Sequence, residues 1–422
     1  MKTTRIGAAA LVLASAAAAG ELPKGIHIKI DEARIRAHQI RPSDIGVVES
    51  DSGPEDTIAD IPIQVPGPIF EPSFDVKGFG DDLRDQLKAA VQGFAFEVRQ
   101  AGTKVYGWHY QWARTPSDGS ENWALESNMH VASLSKMITA DLMTKALDDN
   151  KISYDAAIYK YLPAYWSRGP NIDKITFREL MTHTSGFNTG GSTSDFQTME
   201  TAVANGVTSI GTYHYENMNF GICRVLLAVI VGAIDRDAVT APFPPDWAWE
   251  AVTLVNYESW AAQYVFVPSG VSDYSLDHPA NGVLAYNIPT TLPGWNSGGL
   301  EYMAGAAGWH LTTEDVLNVM GTVRRAGTIL PKAKAQGMLD AKFGIDRVQS
   351  TPLGKLYCKN GIWRTGPSGP SRREEQSVAC YLPQDMEVVL FANSPISPGS
   401  SGLTGMVINT YQKHIVPKRV GP

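Results

Sequence analysis

Ser133-Leu134-Ser135-Lys136 places a hydroxyl and an amine one helical turn apart at the head of an apolar-periodic run. Leu134, Met137, Ile138, Leu142, Met143, Ala146 and Leu147 recur at steps of three and four, the spacing of one helix face. Ser133 is therefore expected near a helix N-terminus, where main-chain amides favour developing negative charge, with Lys136 on the same face. That is the layout of an activated serine nucleophile. Taken alone, the spacing reads equally well as a helix cap followed by a solvated lysine. Further out, Tyr215-Glu216-Asn217 and Lys359-Asn360-Gly361 follow in the order and at the separations that such an acyl-transfer site requires. Three matched elements make coincidence the weaker explanation.

With 422 residues and 43% hydrophobic content, the chain can bury a large core. Its formal charge of -7 leaves no basic stripe, which argues against nucleic acid and for a small-molecule or peptide substrate. Residues 1–19 read as a signal peptide: Lys2 and Arg5 are basic, an apolar stretch follows, and Ala17-Ala18-Ala19 offers a cleavage site. The product is expected to be secreted or periplasmic. The apolar run at residues 225–234 is too short to span a bilayer and reads as a buried helix, so no membrane span is expected. Of three cysteines, Cys358 and Cys380 lie in strand-like segments that suit one disulfide, leaving Cys223 as a packed thiol. The nine histidines are scattered and neither C-x-x-C nor H-E-x-x-H occurs, so neither a metal nor a cofactor is expected.

Residues 20–75 are rich in proline and acids, as in Ser50-Asp51-Ser52-Gly53-Pro54-Glu55-Asp56, and read as an irregular extension or propeptide. A helix over 81–91 precedes a hairpin, with strands at 94–99 and 105–112 around Ala101-Gly102-Thr103. Strands return at 355–359, 377–382 and 387–392, before a helical tail at 403–414. The sheet domain is thus expected from both chain ends, 76–148 and 301–422, with residues 149–300 inserted as a helix-rich lobe. No signal for an oligomeric state is present.

Together these elements resemble the serine β-lactamase and penicillin-recognising family, in the branch of class C β-lactamases, D-alanyl-D-alanine carboxypeptidases and family VIII esterases. Ile175-Thr176-Phe177-Arg178-Glu179-Leu180-Met181-Thr182-His183-Thr184-Ser185-Gly186 and Gly305-Ala306-Ala307-Gly308-Trp309-His310-Leu311-Thr312-Thr313-Glu314-Asp315 are similar to stretches of that branch. The resemblance implies an α/β (α+β) fold, an antiparallel sheet flanked by helices with the lobe inserted. It makes Ser133 the nucleophile, Lys136 and Tyr215 the carriers of its proton, and Asn217 a substrate-amide contact. Lys359 then supports the tyrosine and meets an acidic substrate group, Gly361 lets substrate approach its strand, and the amides of Ser133 and Ile362 form the oxyanion hole.

The third element departs from the family pattern, with Lys-Asn-Gly where Lys-Thr-Gly is usual. Arg364, in a proline- and glycine-rich stretch after it, reads either as a carboxylate anchor or as a solvated loop arginine. No Gly-x-Ser-x-Gly elbow exists, so His183 is expected to fix a turn rather than to complete a Ser-His-Asp triad. The expected function is an exported serine hydrolase working through an acyl-enzyme, in the form of a peptidase or carboxypeptidase. Its alternatives are an esterase, a β-lactamase, a transacylase and a ligand binder without turnover.

Overall fold

The structure is a computed structural model and describes residues 22–27, 70–189, 194–365 and 369–419. The expected signal peptide and most of the expected extension lie outside them. Strand β1 (Phe70–Phe74) leads into helix α1 (Val76–Ala90), and Asp75 caps it by accepting from the Gly78 amide at 2.9 Å. This cap starts the helix five residues earlier than the hydrophobic pattern suggests. Strands β2 (Phe94–Gln100) and β3 (Thr103–Tyr110) form the expected hairpin, and Ala101 and Gly102 turn it with φ of 49° and 82°. Positive φ at both central residues matches the twist of the strands that the turn joins.

The small strands β4 (Trp112–Arg114), β5 (Glu121–Asn122) and β6 (Met129–His130) precede a 3-10 turn, Ala132–Leu134, which runs straight into helix α2 (Ser135–Asp149). The lobe carries α3 (Phe177–Met181), α4 (Phe196–Asn205), α5 (Asn217–Ile230) and α6 (Pro245–Ala261). Next come β7 (His310–Leu311), α7 (Thr313–Gly321) and α8 (Lys332–Asp340). The chain closes with β8 (Arg347–Thr351), β9 (Gly354–Arg364), β10 (Glu374–Leu382), β11 (Met386–Ala392), α9 (Leu403–Lys413) and β12 (Ile415–Arg419).

The main sheet is antiparallel in the order β3-β2-β11-β10-β9-β8, so strands from both chain ends meet at β2 and β11. Both of its faces are covered. Phe94, Phe96, Val98, Val388 and Leu390 pack with Phe79, Leu83, Leu403, Val407 and Tyr411 of α1 and α9. Ala95, Val389 and Phe391 belong to the other core, shared with α2 and the lobe. Burial on both sides explains why β10 and β11 are buried at every position.

Three local expectations change. Helix α2 is enclosed on nearly every side, with Thr139, Asp141 and Thr144 buried beside its apolar residues, so its pattern marks a central helix. The apolar run at 225–234 belongs to α5, which begins at Asn217 and stops at Ile230. Strand β1 falls inside the stretch read as an irregular extension, yet it pairs with β12. Residues 22–27 also dock on the lobe, through His27 N to Ala233 O at 2.9 Å and Asp235 N to Gly25 O at 2.8 Å. Cys358 and Cys380 are joined and directly opposite in the β9–β10 register, while Cys223 is a buried free thiol.

Candidate active site

Four segments converge on Ser133. Its own segment is held from two directions: the Val131 amide donates to Trp309 O at 2.9 Å, and the Ser377 hydroxyl on β10 donates to Val131 O at 2.7 Å. Ala132, with φ of 49°, turns the chain so that Ser133 stands half-buried at the entry to α2. Lys136 Nζ donates to Ser133 Oγ at 3.0 Å, and the Tyr215 hydroxyl donates to the same oxygen at 2.7 Å. The expected nucleophile, amine and phenol are thus in mutual contact.

Lys136 is fully buried, and its ammonium has two more acceptors, Asn217 Oδ1 at 2.7 Å and Ala306 O at 2.8 Å. Burial, reinforced by the nearby Lys359 charge, holds its pKa well below the ordinary lysine value of 10.5. A neutral amine 3.0 Å from a serine hydroxyl is competent to take its proton. Asn217, expected as a substrate contact, is the first residue of α5 and accepts from this lysine.

The loop that presents Tyr215 is built on His183. Thr176 and Glu179 form a reciprocal capping box at the start of α3, and His183 follows its C-cap, Thr182, at φ 57°. His183 Nδ1 accepts from the Glu216 amide at 3.2 Å, its carbonyl accepts from the His214 amide at 2.8 Å, and its ring lies 4.3 Å from the Tyr215 ring. Burial and the two lysine charges keep this imidazole neutral by lowering its pKa. It supports a turn, as expected.

On the far side stands β9. Lys359 Nζ is 5.4 Å from the Tyr215 ring centroid, against 5.0 Å for Lys136. Lys359 is 1% exposed and donates to Asp346 Oδ2 at 2.6 Å and to Asn360 O at 2.8 Å. Its charge is therefore matched within the protein, and Asp346 is a site residue that sequence reasoning missed. Gly361 sits where β9 passes close to Ser133: an added Cβ would meet Val131 O at 2.5 Å and Ser133 N at 2.9 Å. Only glycine lets the strand approach so closely.

Strand β8 pairs with β9 only from Gly354 to Cys358, and beyond that point β9 lines a cavity of about 700 Å³. Tyr213, Tyr215, Gly361, Ile362, Arg347 and Arg364 are among its walls. Ile362 follows Gly361 on this edge, the expected position for the second oxyanion amide. Arg364 is the last residue of β9 rather than part of a loop. Ala306, the other residue missed, lies in the stretch 305–315 already singled out, but a carbonyl acceptor leaves no side-chain signal. Among the described residues, no group of three metal-ligating side chains occurs, and no helix is long and apolar enough to cross a membrane.

Solved structures of similar fold include a class C beta lactamase from Rhodobacter sphaeroides, at 16% identity and TM-score 0.57 over 80% of this chain and 99% of that one. A beta-lactamase/D-alanine carboxypeptidase from Pseudomonas syringae matches at 15% identity and TM-score 0.58 over 81% and 99%. An octameric penicillin-binding protein homologue from Pyrococcus abyssi matches at 16% and 0.58 over 79% and 76%. No curated protein sequence matches. The sequence profile of the Beta-lactamase family covers residues 80–405. That span holds every element of the site just described, and the chain belongs to the beta-lactamase family.

Proposed function

We propose that this protein is an exported serine hydrolase that cleaves an ester or amide through an acyl-enzyme on Ser133. The observation that carries the reading is the pair of contacts on one oxygen, Tyr215 at 2.7 Å and Lys136 at 3.0 Å. Proton loss from the pair turns those contacts round, so that the serine hydroxyl donates and its oxygen attacks the substrate carbonyl. The negative charge formed there is met by the amides of Ser133 and Ile362. The leaving group then takes the proton back, and water repeats the cycle to release the acyl group. Export is supported by the basic, apolar and small residues of 1–19 and by the Cys358–Cys380 disulfide, which belongs to an oxidising compartment.

A peptidase of the carboxypeptidase kind is the preferred form, because Arg347 and Arg364 are among the cavity walls. The esterase reading is favoured by a different observation: Lys359 is buried against Asp346 and offers substrate no unmatched charge. The test is to incubate the mature protein with a fluorophosphonate and weigh it, beside Ser133→Ala. A stable adduct on the native protein alone is expected. No adduct, and no turnover of any ester, D- or L-peptide or nitrocefin, overturns the reading and leaves a ligand binder.

A further inference from the structure

Strand β8 leaves β9 at Cys358, and the residue just ahead of β8 does something at that point which a backbone partner does not. The Asp346 amide donates to Cys358 O at 3.0 Å, anchoring it to the strand. Its carboxylate oxygen Oδ2 then accepts from Lys359 Nζ at 2.6 Å and from the Asn360 amide at 3.2 Å. One side chain thus caps the newly unpaired edge of β9 and captures the ammonium that flanks the Tyr215 ring. Lys136, on the other flank, has no carboxylate within ion-pair distance among the described residues.

We propose that Asp346 is a positioning residue of the acyl-transfer site: it fixes Lys359 as the permanent cation beside Tyr215, leaving Lys136 to give and take the proton. The inference rests on the acyl-transfer reading of Ser133. Two like charges on either side of one phenol oppose each other, and without a counter-charge both amines would be free to lose a proton. Burial lowers the pKa of Lys359 below the ordinary value and Asp346 raises it part of the way back; the same carboxylate also raises that of Lys136, which burial lowers much further. Among the described residues, Lys136 from α2, Tyr215 from the segment ahead of α5 and His183 after α3 face this lysine, while Tyr213 and Arg347 of β8 lie near Asp346 itself. None of them is an acid that could replace Asp346.

The sign follows from the carboxylate. Removing it lets Lys359 deprotonate at lower pH, so the alkaline fall in activity starts earlier. The measurement is the rate at which a fluorophosphonate labels Ser133, followed by intact mass against pH, for the native protein and for Asp346→Asn, Asp346→Glu, Lys359→Met and the double variant Asp346→Asn with Lys359→Met. Near neutral pH, Asp346→Asn is expected to label about tenfold more slowly, the scale of one charge-assisted contact, with its alkaline limb shifted down. Asp346→Glu should restore most of the rate, and Asp346→Asn should add little once Lys359 is methionine. A profile superimposable on the native one overturns the proposal. So does a slower rate with an unmoved alkaline limb, or a loss undiminished in the Lys359→Met background, since either marks a structural role. Failure of the native protein to label at all is a different result, which removes the Ser133 reading and this inference with it.

Discussion

The two lysines beside Tyr215 are alike in burial and in distance from its ring, 5.0 Å for Lys136 and 5.4 Å for Lys359, yet their partners differ in kind. Lys136 meets a hydroxyl, an amide oxygen and a carbonyl, all neutral acceptors. Lys359 meets a carboxylate. Neutral dipoles solvate a charge only in part, so burial and the neighbouring cation push Lys136 toward its free amine, whereas an ion pair opposes that push at Lys359. The Tyr215 phenol thus has an amine with neutral partners on one side and an ion-paired amine on the other. The difference lies in the partners, not in the residue type.

The largest test of this contrast is Lys136→Met, which removes the proposed base and keeps the packing volume. Labelling of Ser133 by a fluorophosphonate should fall by about a thousandfold, while far-ultraviolet circular dichroism stays native. A loss no greater than that of Lys359→Met would erase the distinction between the two amines.

Gly361→Ala comes next, because it attacks the approach of β9 rather than either charge. The new methyl group would press on Val131 O and Ser133 N, both backbone atoms, so the strand must retreat from the oxyanion position. A loss of about a hundredfold or more in acylation rate is expected, the value of one displaced oxyanion donor. Ester hydrolysis at native rates would mean that the strand contributes no donor. Tyr215→Phe should cost about a hundredfold in the same assay and flatten its rise with pH, since the phenol links the two lysines to Ser133. Full activity across pH in that variant would end the tyrosine's role.

A smaller effect sharpens the comparison through stability. The unfolded chain holds the Lys136 proton up to the ordinary value of 10.5, whereas the folded protein releases it at lower pH. Between those two values the unfolded state binds more protons, so folding stability should rise with pH across that window. Denaturant midpoints for native protein and Lys136→Met should show the rise in the first and its loss in the second. Smallest in its effect on chemistry is the Cys358–Cys380 bond, which closes a 22-residue separation on the face of β9 away from Ser133. Replacing both with alanine should lower stability by about 3 kcal/mol and leave the labelling rate within a factor of a few.

How far the sequence could be read follows the same division between local pattern and distant partner. Ser133 and Lys136 are three residues apart on one turn, so their contact is almost forced by helix geometry. The hairpin turn at Ala101-Gly102, the β10 and β11 strands, the α9 tail and the disulfide carried clear signals of their own. Asp346 carried none. It stands in Phe343-Gly344-Ile345-Asp346-Arg347, a stretch with no motif, and reaches Lys359 only because β8 begins just after it, opposite Cys358. Strand β1 was hidden by its proline-rich surroundings until β12 paired with it.

The sequence by itself singled out Ser133, its helix, Tyr215 and the glycine beside them, because each depends on residue type and short spacing. Only the tertiary structure decided which lysine is paired with a carboxylate and which meets neutral acceptors. Lys136 finds its acceptors 81 and 170 residues away, and the acid that holds Lys359 reaches it across a strand pair. A buried amine takes its protonation from what surrounds it, and those neighbours meet only after the chain has folded.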